Sequence, residues 1–133
     1  MLSVSSLQLL DTDARPCSLF RPGEAMRVEL ALDAPAPVAR GVVALEVRDV
    51  RGTTLFRTNA SVGPMYGRGE VTFDVPRLAL LGGDYDLAAA ASDGDDPRAM
   101  ERLVRFSVAA TGDGEGVVDL RGEWTVRTEV VAP

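Results

Sequence analysis

The segment MRVELAL, Met26 to Leu32, alternates apolar and polar residues without a break, and this period of two constrains the chain more than any other feature. Successive side chains of an extended strand point to opposite faces. Met26, Val28, Leu30 and Leu32 therefore share one face, and Arg27, Glu29 and Ala31 the other. Such a strand keeps one side on a core and one toward solvent. EVTFDV repeats the pattern, with Val71, Phe73 and Val75 opposite Glu70, Thr72 and Asp74. Further strands are expected over Val4–Leu10, Val42–Asp49, Thr54–Ala60, Asp84–Ser92, Arg102–Ala110 and Glu123–Val131, about eight in all. No long helical period competes with them. The alanine run Ala88–Ala91 has high helix propensity and AMERLVRF could close a helical turn, but both stand where a strand is due.

Turn signals separate the runs: RPGE at Arg21, DAPAP at Asp33, RG at Arg51, GPMYGRG at Gly63, GGD at Gly82, DGDDP at Asp93 and TGDGEG at Thr111. Strands at this spacing predict an all-β, antiparallel β-sandwich. The 133 residues suit one domain, which at this size can bury roughly 65–70% of its unfolded surface without staples. Phe20, Phe56, Phe73 and Phe106 are the expected aromatic core. Tyr85, at the entrance of a strand after the Gly82-Gly83 turn, is placed to anchor a sandwich corner through its hydroxyl.

Charge and residue chemistry exclude several functions. A net charge of −6 offers no basic stripe for phosphates and no polybasic patch for anionic lipid, so nucleic acid is a poor partner. The apolar runs fall short of the roughly 20 residues that span a bilayer, and MLSVSSLQLL lacks the basic start of a signal peptide. With the single Cys17, these features make the cytoplasm the expected compartment. Without histidine the chain cannot build a Ser-His-Asp or Cys-His triad or an ordinary zinc site. No phosphate-binding GxxxxGK[ST] loop is present. The acids Asp93, Asp95 and Asp96 lack the glycine and glutamate spacing of a calcium loop and read as a solvated hairpin turn. No metal, cofactor or catalytic residue is expected. A carboxylate pair serving a small glycosidase is the weakest of the readings.

Binding remains. Sugar sites combine an aromatic face with planar polar side chains, because sugars present hydroxyls around patches of C–H bonds. Tyr66, in the Gly-rich GPMYGRG loop, is expected to be exposed and to be free for a ligand. Trp124, two residues after Gly122, is either a packing or subunit-interface residue or a sugar platform.

The order of segments also resembles a known family. VSSLQLLD, LFRPGEAMRVELAL, VALEVRDVRGTTLFRTNAS, GEVTFDVPRLALLGGDYDLAAAASD, VRFSVAA and GVVDLRGEW together are similar to the C-terminal carbohydrate-binding domain of Wzt-type ATP-binding subunits of polysaccharide ABC transporters, from about Val4 to Trp124. The resemblance implies an immunoglobulin-like or jelly-roll-like sandwich that binds the end of a lipid-linked, O-antigen-like glycan before export. It also implies a homodimer, with EWTVRTEVV as the strand for an exchange between copies, and the ATP-binding and transmembrane subunits as partners. Arg57, Thr58 and Asn59 match a shared motif, as pocket or as structure. In the implied site Arg57 and Asn59 donate hydrogen bonds while Tyr66 or Trp124 covers a sugar face. The competing reading is a structural module that dimerises or docks onto a transporter or glycosyltransferase.

Overall fold

The computed structural model describes residues 1–97, 99–109 and 123–128. Among them seven strands form one continuous hydrogen-bonded sheet: β1 (Ser3–Leu10), β2 (Leu19–Phe20), β3 (Met26–Asp49), β4 (Thr54–Val75), β5 (Gly83–Asp93), β6 (Arg102–Val108) and β7 (Glu123–Thr128). No helix occurs among the described residues.

The sheet folds over itself through its two long strands. The first half of β3, Met26 to Ala34, pairs with β1 and with Gly67–Val75 of β4, whose outer edge carries β7. The second half, Gly41 to Asp49, pairs with Thr54–Gly63 of β4 and with β5, followed by β6 and β2. Phe56 and Phe73 both belong to β4, seventeen positions apart, a distance of roughly 56 Å along a straight strand. Their rings stack with centroids 6.4 Å apart. The strand therefore turns back on itself, and its halves become opposite walls of a two-layer sandwich. The core lies between them, where Met26, Val28 and Val75 of one layer meet Leu45, Val47 and Leu87 of the other. Phe20, Phe73 and Phe106 are buried there and Phe56 packs against its margin.

Among the described residues the expected runs are joined differently. DAPAP and GPMYGRG are not hairpin turns: each lies inside a strand, so four expected runs merge into two, and the short β2 is added. The register slips between Ala34 and Val38, between Val38 and Gly41, and again before Val42. Pro35 and Pro37 lack an amide hydrogen, and a bulged corner is where a paired ribbon tolerates that loss. Gly63 and Gly67 have φ of 73° and 87°, a left-handed backbone that relieves the same corner on β4. Turn chemistry here bends a ribbon between layers instead of ending it. The pairing is also mixed, because β2 runs parallel to β6.

Other expectations hold. The alanine run lies within β5, and Arg102–Val108 is a strand. The Tyr85 hydroxyl donates to the Leu81 carbonyl at 2.6 Å, which ties the strand entrance to the turn before it. TGDGEG and the last residues of EWTVRTEVV lie outside the described residues.

Candidate functional site

The outer face of the layer built from β1, the first half of β3, the second half of β4 and β7 is polar because its outward positions alternate with core positions. On β3 these are Arg27, Glu29, Ala31 and Asp33, and on β4 Arg68, Glu70, Thr72 and Asp74. A groove of about 730 Å³ crosses this face. Ser5 of β1, Ala31 and Asp33 of β3, Arg68 and Glu70 of β4, and Arg127 and Thr128 of β7 line it, so all four strands contribute. The register puts Asp33 opposite Arg68 and places Glu70 between Ala31 and Arg127. Ala31 supplies a small floor among larger neighbours. The Ser5 hydroxyl donates to the Ala31 carbonyl at 3.1 Å. Two guanidinium groups, two carboxylates and two hydroxyls give this groove the donors and acceptors that a polyhydroxylated ligand needs.

The four residues singled out in the sequence lie elsewhere. Arg57 and Asn59 share the outer face of the other layer, where β4 pairs with Glu46 and Ala44 of β3. Glu46 is only 7% exposed, although it alternates with the core residues Leu45 and Val47. Its carboxylate accepts hydrogen bonds from Arg48 and from the Thr54 hydroxyl, and Arg57 lies 3.6 Å away as an ion-pair partner. Arg57 also donates to the Asp96 carboxylate at 2.9 Å and to the Pro97 carbonyl at 2.7 Å. DGDDP does connect two antiparallel neighbours, β5 and β6, but Asp96 is held by Arg57 and Pro97 is buried, so this turn is not merely solvated.

Tyr66 corrects the picture of an exposed loop. It is half-buried inside β4, across from the Pro35–Pro37 bulge, because the loop it was assigned to is the sandwich corner. Trp124 of β7 stands opposite Phe73 with ring centroids 4.8 Å apart and packs on the margin of the core. Of the two readings left open for it, this geometry fits packing. The structure thus brings Arg57 and Asn59 together and separates them from Tyr66 and Trp124. None of the four lines the groove. The groove residues carried one sequence signal: the outward positions of MRVELALD and RGEVTFD, which alternation identifies but does not rank. Among the described residues no three acidic or cysteine side chains converge as metal ligands.

One family model matches most of the chain. The model of the Wzt C-terminal domain matches residues 2–120. A crystal structure of the C-terminal domain of Wzt is similar at a TM-score of 0.71 and 18% identity, with 93% of this chain and 83% of that chain covered. This likeness shows the fold. Two more distant structures are the CARDB domain of a Pyrococcus furiosus protein in complex with di-metal ions, at TM-score 0.49, 15% identity and coverage of 80% of this chain and 94% of that one, and a β-glucosidase from Listeria innocua in complex with gluconolactone, at TM-score 0.49, 14% identity and coverage of 83% and 16%. Neither is near enough to carry an argument. No curated protein matches the sequence.

Proposed function

The chain belongs to the Wzt C-terminal domain family, and on that premise we propose that it is a non-catalytic carbohydrate-binding domain that recognises the end of a lipid-linked, O-antigen-like polysaccharide for export by an ABC transporter. The observation that carries this reading is the groove across one outer face, lined by Asp33, Arg68, Glu70 and Arg127. Carboxylates accept from sugar hydroxyls and guanidinium groups donate to them, and hydrogen bonds to charged groups contribute about 1.5–3 kcal/mol each. An open site of this kind gives micromolar to millimolar Kd, about −8 to −4 kcal/mol. The reader works on the cytoplasmic side beside the ATP-binding and transmembrane subunits.

Among the described residues β7 is an edge strand whose pairing runs to β4 alone, from Gly69 to Asp74. Such an element can be exchanged between two copies, and in a homodimer two grooves would grip one polymer with higher avidity. The docking-module reading gains less support. Among the described residues its flat apolar partner face has no counterpart, because the exposed apolar residues Met1, Leu19, Val50, Leu81, Leu103 and Val126 belong to six different segments.

The test is an NMR titration with oligosaccharides from the polysaccharide of the producing strain, run on wild type, Arg68→Ala, Arg127→Ala, Asn59→Ala, Tyr66→Ala and Trp124→Ala. Shifts at Ala31, Glu70 and Arg127, with affinity lost in the two arginine variants, are the expected result. Shifts confined to Asn59 and Tyr66 would move the site to the other residues. No saturable shift in a well-folded domain would overturn the carbohydrate reading.

A further inference from the structure

Opposite charges in direct cross-strand register attract, and on this sheet they either close or bond another partner outside the groove. Arg27 meets Asp74 at 2.6 Å, Arg105 meets Asp86 at 3.0 Å, and Arg57 meets Glu46 at 3.6 Å, each across a register pair. Asp33 with Arg68 and Glu70 with Arg127 are also register pairs of opposite charge. Among the described residues neither closes into an ion pair; the register pair Arg48 with Asp86 is open too, but there Arg48 bonds Glu46 and Asp86 bonds Arg105. These two open pairs occupy adjacent rows of the groove, Glu70 with Arg127 in the row of the short Ala31 side chain and Asp33 with Arg68 in the next.

The groove is lined from β1 to β7, which are separated by three strand spacings, or roughly 14 Å, the length of about three pyranose residues. Its volume of about 730 Å³ is far more than one sugar ring fills. No aromatic residue lines it, so ring stacking does not single out one sugar. We propose that the groove holds a stretch of about three consecutive, uncharged sugar residues lying across the strands, read by the open pairs Asp33 with Arg68 and Glu70 with Arg127, and not a single terminal residue. This rests on the carbohydrate reading and deepens it. The paired charges cancel, so the site favours neutral hydroxyls over an anionic ligand. Ser5 at one end and Arg127 at the other touch different residues of the same stretch.

The experiment is a calorimetric and NMR titration of the intact domain with size-fractionated oligosaccharides of one to six residues, prepared by partial acid hydrolysis of the producing strain's polysaccharide. Kd should tighten about tenfold or more from one to three residues, and change less than about twofold from three to six. Ser5→Ala and Arg127→Ala, each checked for an unchanged melting temperature, should weaken binding of the three-residue fraction more than that of the one-residue fraction. Full affinity already reached with one residue overturns the three-residue site while leaving the carbohydrate reading intact. Binding only of negatively charged fractions overturns the neutral preference. No binding of any fraction overturns both readings together.

Discussion

Arg57 donates to Asp96 at 2.9 Å across thirty-nine positions of sequence, and this bond holds the β5–β6 connection down on the outer face of the second layer. The same guanidinium reaches the Pro97 carbonyl and the Glu46 carboxylate, so one side chain links β3, β4 and the connection.

Arg57→Ala removes all three contacts and leaves Glu46 with fewer partners in a site that is nearly buried. The expected cost is about 1–3 kcal/mol, read as a lower midpoint in urea. Amides near Gly94 and Asp96 should exchange faster with solvent. Asp96→Asn keeps the shape and loses one charge at a half-exposed position, for less than about 1 kcal/mol. If neither midpoint nor exchange changes in Arg57→Ala, Arg57 does not hold the connection.

Much of the fold could be read from alternation, because each layer keeps one dry face. MRVELAL and EVTFDV keep their assigned faces, and Tyr85 makes the corner bond expected of it. DAPAP and GPMYGRG misled because proline and glycine mark a change of backbone direction, which is the same local chemistry at a hairpin and at a bulged corner. The distinction is decided by contacts far away, such as Phe56 on Phe73. The groove was less legible still. Alternation shows that Glu70 and Arg127 point outward, but only the register sets Glu70 opposite Arg127 and Asp33 opposite Arg68.

Tyr85→Phe removes the hydroxyl that donates to Leu81 and should cost about 1 kcal/mol, the usual net value of one such bond. Burial raises the Tyr85 pKa above the ordinary phenol value, and the nearby Asp49 charge raises it further. A pKa raised by folding means a stability contribution fully present below the unfolded value near 10, and lost as pH rises through the folded value. Alkaline titration followed by tyrosinate absorbance should therefore show one phenol ionising late, together with loss of structure. Tyr85→Phe should remove that late step.

Gly41 sits at the corner of β3, where an added Cβ would lie 2.7 Å from Val62 Cγ2 and 2.9 Å from Leu2 Cδ2. Val62 is β-branched and rotates poorly, so Gly41→Ala should cost about 1–3 kcal/mol through overpacking. Gly69→Ala is the control. Its Cβ would run into Met65 Cε, but that atom ends a flexible chain that can swing aside. Thermal melts should rank Gly41→Ala well below Gly69→Ala; the reverse order would mean that the corner yields more easily than the methionine.

Glu101 joins the two layers at the β1 edge. One carboxylate oxygen accepts the Val4 amide at 3.2 Å and the other accepts the Ala91 amide at 2.7 Å, while Arg102 donates to the Val4 carbonyl at 3.1 Å. An ionised carboxylate suits this position because both of its oxygens accept. Glu101→Gln presents one oxygen and one NH2 to two amide donors, so one of the two bonds must be lost. The residue is exposed and water can replace that bond, which limits the expected cost to about 1 kcal/mol. Hydrogen exchange locates the effect: either the Val4 or the Ala91 amide should lose protection in Glu101→Gln, and both in Glu101→Ala, with the rest of β5 unchanged. Uniform loss of protection across the sheet would instead mark Glu101 as a determinant of global stability.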